Sequence, residues 1–264
     1  MVNRLHNFIK RFYLIIIFIF LYAPIVTLMV FSFNDSKSMG HWSGFTLKWY
    51  KSLFQNDALM EALYYTVLIA LIASIIATIV GTITAIGISR MRGKSKALLL
   101  NINNLPIINP DIVTGIALMS LFIFLKFDFG FNTMLLAHIS FDIPFVILSV
   151  LPKIKQLPDN TIEAAMDLGA TPWYALRKVI IPQIKPGIFA GFLMAFTMSI
   201  DDFVISFFTT GPGVTNLSIE IYSMARRGIK PEINALSTLM FITVLALLLI
   251  VNKKSSRGDS IENA

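Results

Sequence analysis

Residues 163–187 read EAAMDLGATPWYALRKVIIPQIKPG, a polar stretch set between two long apolar runs. Its middle, Leu168-Gly169-Ala170-Thr171-Pro172, is helix punctuation. Glycine just past a helix end tolerates the left-handed C′ conformation. Thr171 is a good N-cap, and Pro172 at the next position has no N–H to waste. The stretch predicts helix, sharp turn, helix at a membrane surface. Ala164 and Ala165 leave room for another protein to approach closely.

Composition sets the class. The chain has 264 residues, 56% hydrophobic and 14% charged, with mean hydropathy +0.73. A soluble domain of this length does not carry that much apolar residue, so a polytopic membrane protein is expected. The net charge of +7 fits Lys and Arg retained on the cytoplasmic side and does not call for nucleic acid. There is no cysteine, hence no disulfide and no thiolate metal site. His6, His41 and His138 are scattered, so no metal centre is expected. No P-loop sequence occurs, so ATP would be bound by another chain.

Six spans are expected. The first apolar run, Phe12 to Phe33, is too long for a signal-peptide core and is read as an uncleaved span. An interfacial loop (34–58) with Trp42 and Trp49 follows. Further spans run over 61–88, 98–125, 131–151, 187–208 and 232–251, with a Gly/Pro-rich loop over 209–230. The third is interrupted by Pro106, Asn109, Pro110 and Asp111. Of the 22 Lys and Arg, 15 fall on the side of the termini (1–12, 89–97, 153–185, 252–264) and 7 on the other. The positive-inside rule then puts both termini and the 163–187 loop in the cytoplasm. The expected division is a first helix and outer loop (1–58), a permease core (59–252) and a polar tail (253–264).

Ionisable groups at bilayer depth cost about 2.5–3.5 kcal/mol or more on insertion scales, so each needs a reason. Asp111 lies at a helix interruption of the kind that lines transport cavities, or else starts the helix that follows. Asp201 and Asp202 are adjacent, about 100° apart on a helix. One can face a cavity while the other faces a neighbouring helix. They can equally mark a short polar break near the outer surface. Asp142, one turn after His138, is read as a structural polar pair with it. Such acidity suits a cation, with aromatic faces from Trp49 or Tyr222.

The quoted stretch resembles the EAA motif of bacterial ABC importer permeases. Glu163, Ala164, Ala165 and Gly169 match, and Val179-Ile180-Ile181-Pro182 closes it nine residues after the glycine. Val179 for Ile and Ile181 for Leu are mild departures. Met198-Ser199-Ile200-Asp201-Asp202-Phe203-Val204 with Thr210-Gly211-Pro212, and Asn109-Pro110-Asp111-Ile112-Val113, are similar to the polyamine permeases. So are Ile221-Tyr222-Ser223-Met224, the segment Pro231 to Leu236, and Gly44 to Tyr50. Order and spacing match the second permease subunit of spermidine/putrescine importers over nearly the whole chain. Asp142 stands where an uncharged residue is expected.

The resemblance implies an all-α, six-helix, type I ABC importer permease fold in a bacterial inner membrane, with a cytoplasmic coupling loop. It implies no catalytic residue here. The partners would be a homologous second permease, an ABC ATPase dimer that binds ATP and Mg, and an extracytoplasmic polyamine-binding protein. Glu163, Ala164, Ala165, Asp167, Gly169, Ala170 and Pro182 would couple to the ATPase. Asp111, Asp201 and Trp49, then Asp202 and Tyr222, would line the polyamine path. The competing readings are a permease for another cationic or polar organic solute, a secondary cation antiporter using Asp201-Asp202, and an intramembrane enzyme with an aspartate-held metal.

Overall fold

The computed structural model describes residues 2–37, 40–158, 160–228 and 230–245, with side chains from Lys10 onward. The expected tail and the end of the last apolar run lie outside these residues. The chain is helical, and among the described residues the only sheet-like pairing is an isolated bridge between Asn34 and Phe45. The helices are α1 (Val2–Phe31), α2 (Lys48–Phe54), α3 (Asp57–Arg90), α4 (Gly93–Ile108), α5 (Asp111–Phe124), α6 (Phe131–Lys155) and α7 (Thr161–Asp167). Then come α8 (Pro172–Asp201) and α9 (Val204–Thr209), followed by α10 (Leu217–Arg227) and α11 (Glu232–Leu245).

Four of these are long and apolar enough to cross a membrane: Lys10–Phe31 within α1, α3, α6 and α8. The α4–α5 pair makes a fifth candidate, bent by 106° at its break. The break falls at Asn109 and Pro110, both with extended backbone. Proline has no N–H for the helical ladder and restricts the residue before it, so the interruption expected there forms. As described, α11 is shorter than the roughly 20 residues a span needs.

Three expectations are corrected. The 34–58 loop holds α2, and the 209–230 loop holds α10. The signal for α10 is Asn216, whose side-chain oxygen caps it by accepting from the Ile219 N–H at 2.9 Å. The span expected at 187–208 begins earlier, at Pro172, and stops at Asp201.

The chain forms two compact units. One comprises the residues up to Met60 and those from Ile221 on. Here Asn34 is the organiser of the turn after α1. Its amide donates to the His41 carbonyl at 2.8 Å and its oxygen accepts from the Ser43 N–H at 2.9 Å. Its own carbonyl accepts the Trp49 indole N–H at 2.7 Å. Phe33 stacks on Phe45 with ring centres 5.4 Å apart. Glu232, opening α11, accepts from Ser52 of α2 at 2.5 Å and from Asn56 at 3.2 Å. The apolar segment of α1 buries nothing within the chain, as suits a helix facing lipid or another protein.

The other unit runs from Glu61 to Glu220. Its core joins Ala77, Ala85 and Ile88 of α3, Val146, Ile147 and Val150 of α6, and Ile184 and Ala195 of α8. Lipid tails are as apolar as Leu, so membrane helices associate through close packing of small residues. Gly81 shows how close: a Cβ there would lie 2.7 Å from the Val146 side chain. Gly81→Val is therefore expected to cost about 1–3 kcal/mol, as overpacking does. The check is a lower midpoint of thermal unfolding in detergent than for Ile83→Val, which trims the exposed side of the same helix.

Candidate functional site

The quoted stretch folds as its punctuation predicts. Helix α7 ends in a paired turn: the Gly169 N–H reaches the Met166 carbonyl at 2.8 Å, and the Ala170 N–H reaches Ala165 at 3.1 Å. This is the Schellman pattern, with the left-handed residue at C′. That residue is Gly169, at φ +88°. Thr171 then caps α8, its hydroxyl accepting from the Tyr174 N–H at 3.3 Å. Pro172 takes the first helical position.

One turn later α8 widens. Residues 176–180 form a π-turn, with the Ile181 N–H bonded to the Leu176 carbonyl. Pro182 follows directly. It cannot donate to Lys178, and the wider turn makes room for its ring. Glu163, Ala164, Asp167, Gly169 and Pro182 are exposed, while Ala165 and Ala170 are half-buried. Leu168 (91% exposed) and Trp173 (68%) project beside them, and a shallow groove runs from Ala165 to Val179. Polar surface with two large apolar side chains on it is what a protein contact needs.

The aspartates separate in role. Asp201 ends α8 and is exposed, while Asp202 has extended backbone with a side chain only 6% exposed. The expectation that both are helical neighbours is corrected: the helix stops between them. Asp202 accepts from the N–H groups of Ile205 (3.1 Å) and Ser206 (2.7 Å), and from the Ser206 hydroxyl (2.8 Å). It thereby caps α9, since helix-terminal N–H groups need acceptors. Asn216 donates to the Asp202 carbonyl at 3.1 Å and to Ser206 Oγ at 2.7 Å.

His138 completes this network. It is buried, with Nδ1 2.6 Å from Ser199 Oγ and Nε2 2.8 Å from Ser206 Oγ. Ser206 spends its one proton on Asp202, so it accepts from Asn216 and from His138 Nε2–H. Nδ1 is then the acceptor for the Ser199 hydroxyl. The expected His138–Asp142 pair does not form. Both ring nitrogens are already taken, and both Asp142 oxygens are buried without a hydrogen-bond partner among the described residues. Sequence reading missed Ser199, Ser206 and Asn216. The only signal was two serines flanking the aspartate pair.

Asp111 is exposed at the start of α5, where a carboxylate meets the positive end of the helix. In the other unit, Trp49 is buried with its N–H occupied, and Tyr222 is 41% exposed with Arg226 over its ring at 5.5 Å. Among the described residues, no group of three or more His, Cys, Asp or Glu gathers to hold a metal.

Several candidate spans with a helix–turn–helix between two of them make this a multi-pass helical membrane chain. The sequence comparison places it. The chain belongs to the binding-protein-dependent transport system inner membrane component family, whose model matches residues 77–253. It is therefore a membrane permease subunit, not an enzyme. It is 36% identical to the spermidine/putrescine transport system permease protein PotC of Escherichia coli (strain K12), over 92% of this chain and 94% of that one. It is 37% identical to the putrescine transport system permease protein PotI of the same strain, over 94% and 92%. Among solved structures, a bacterial ABC transporter importing alginate has the same fold at TM-score 0.72 and 19% identity, covering 96% of this chain and 99% of that one. A methionine ABC transporter matches at TM-score 0.60 and 16% identity, over 76% and 95%.

The network gives a sharp expectation. Asp202→Ala strips two backbone N–H groups and the Ser206 hydroxyl of their acceptor, at about 1–3 kcal/mol per orphaned group. Asp201→Ala is expected to stay within about 0.5 kcal/mol, as exposed substitutions do. Thermal unfolding of the two variants side by side checks this.

Proposed function

We propose that this chain is one permease subunit of an ATP-driven polyamine importer working by alternating access. The chain crosses the membrane six times, and both termini lie in the cytoplasm with the 163–187 turn. The positive-inside count supports that orientation. A second, homologous permease pairs with this chain. An ATPase dimer binds ATP and Mg and receives Glu163, Ala164, Ala165, Asp167, Gly169, Ala170 and Pro182. An extracytoplasmic binding protein delivers spermidine or putrescine. The names of the relatives support the substrate class.

The observation that carries the reading is the split aspartate pair, Asp201 exposed and Asp202 locked into the fold. An exposed carboxylate at a helix break can replace water around a substrate ammonium group, while its neighbour fixes its position. Asp111, at the second break, supplies another carboxylate of the path. Tyr222 offers a ring face for cation–π contact. Asp202, its carboxylate engaged by Ser206, holds Asp201 in place; Trp49, expected on the path, is buried with its indole N–H on the Asn34 carbonyl. Coupling is mechanical. ATP closes the ATPase dimer, α7 and the start of α8 move with it, and the cavity turns outward. Hydrolysis resets it.

The test is radiolabelled spermidine uptake in cells lacking their own importer, with the chain expressed beside its partner subunits. Asp201→Asn is expected to cut uptake about tenfold or more at normal assembly, in line with the 1.5–3 kcal/mol of a charged hydrogen bond. Gly169→Asp, forced into the left-handed region, is expected to uncouple transport from the ATPase. Uptake that ignores Asp201, or proceeds without an ATPase, contradicts the reading. Competition by another cationic or polar organic solute in place of spermidine and putrescine would reassign the substrate.

A further inference from the structure

Away from the aspartates, four segments enclose a cavity of ≈ 430 Å³: the end of α3 with Arg90, the start of α4 with Arg92 and Lys96, the end of α6 with Lys155, and the first turn of α7 with Glu163. Among the described residues, four cations face one carboxylate. Among the described residues none of the four cations has an ion-pair partner. Lys96 reaches only the Ser89 carbonyl, at 3.4 Å. Arg92 occupies the N-cap of α4 without a side-chain cap bond, so the first N–H groups of that helix add to the positive field. Apolar side chains, Ile86, Ile154 and Ile180, line the cavity as well.

Depth identifies the source of the counterion. Arg90 and Lys155 are the last residues of two candidate spans. Span ends lie where the hydrocarbon gives way to headgroups. Anionic headgroups attract basic pockets between helices on the cytoplasmic face. Arginine's forked N–H groups match phosphate oxygens, and clustered cations that repel one another gain from the anion. We propose that this cavity binds the phosphate of an anionic phospholipid in the leaflet facing the 163–187 turn. The headgroup meets the Thr161 hydroxyl of α7 from the cavity side, with four cations outweighing the Glu163 carboxylate, and so steadies the helix that leads into the turn. That last consequence rests on the coupling role proposed above; the binding itself does not.

The full chain, purified in detergent with its partner permease and ATPase, is titrated with phosphatidylglycerol or phosphatidylcholine, and bound lipid is counted by native mass spectrometry. Inorganic phosphate is added as competitor in a third arm. Wild type is expected to retain phosphatidylglycerol over phosphatidylcholine. Arg90→Gln/Arg92→Gln/Lys155→Gln is expected to weaken that retention about tenfold or more. Lys37→Gln/Lys51→Gln/Lys126→Gln removes equal charge elsewhere and is expected to leave it unchanged. Arg92→Gln alone, at an exposed link, gives a smaller drop in the same direction and keeps the test valid if the triple variant does not fold. Equal retention by the cavity variants and wild type overturns the proposal. Displacement by millimolar inorganic phosphate overturns the lipid source in favour of a free anion. Unchanged lipid retention with loss of the co-purifying ATPase overturns it in favour of a protein contact. Because none of these readouts uses polyamine, a failed uptake assay and a failed lipid site are separable.

Discussion

The Asp202 carboxylate holds the end of α8 and the start of α9 in place. Where α8 stops, the chain turns outward for two residues and starts again as α9. Such a break leaves N–H groups that the helix no longer satisfies. Asp202 takes two of them, together with the Ser206 hydroxyl. Through Ser206 it engages His138 of α6, and its own carbonyl holds Asn216 just ahead of α10. One buried anion thus fixes the meeting of three helices and the approach to a fourth. The same geometry turns Asp201 outward. The exposed carboxylate is thus positioned by the buried one.

The α7–α8 turn is shaped by a different kind of constraint. Its shape comes from local backbone chemistry: a left-handed glycine, a threonine cap, a proline at N1 and a π-turn ahead of Pro182. Each device acts within a few residues. The turn therefore takes its form from its own backbone and does not depend on a large core beneath it. Behind it, α8 packs on α6 at glycine-sized distances: a Cβ on Gly191 would sit 3.2 Å from the Val146 Cα. A helix packed this closely has little room to slide against its neighbour.

Local chemistry was legible in the sequence for the same reason. Gly169, Thr171 and Pro172 specify their own conformations, so the α7–α8 turn reads directly. The interruption near Pro110 was equally plain. Apolar length located α3 and α6 within a few residues. What was hidden is tertiary. His138 looked like a partner for Asp142 because they are four apart, yet its bonds go to Ser199 and Ser206, 61 and 68 residues away. No periodicity reports such a pairing. Asp201 and Asp202 looked equivalent, and only the helix end between them separates their roles. Trp49 read as an interfacial ring, but its indole closes a turn on Asn34. The helix α10 was concealed by glycine and proline on both sides.

Asp201 is exposed while Ser199, two residues before it, is sealed, so the proposed aqueous path should reach the first and not the second. The chain has no cysteine, so single cysteines can be introduced into it directly. Asp201→Cys and Ser199→Cys, the latter at a position only 2% exposed, would be expressed in the assembled transporter. Each would be treated with a small, cationic, membrane-impermeant thiol reagent, with and without spermidine. The account predicts that position 201 is modified, that spermidine slows its modification, and that position 199 stays unreactive. Equal reactivity at both positions, or modification of 201 that spermidine leaves untouched, would contradict it.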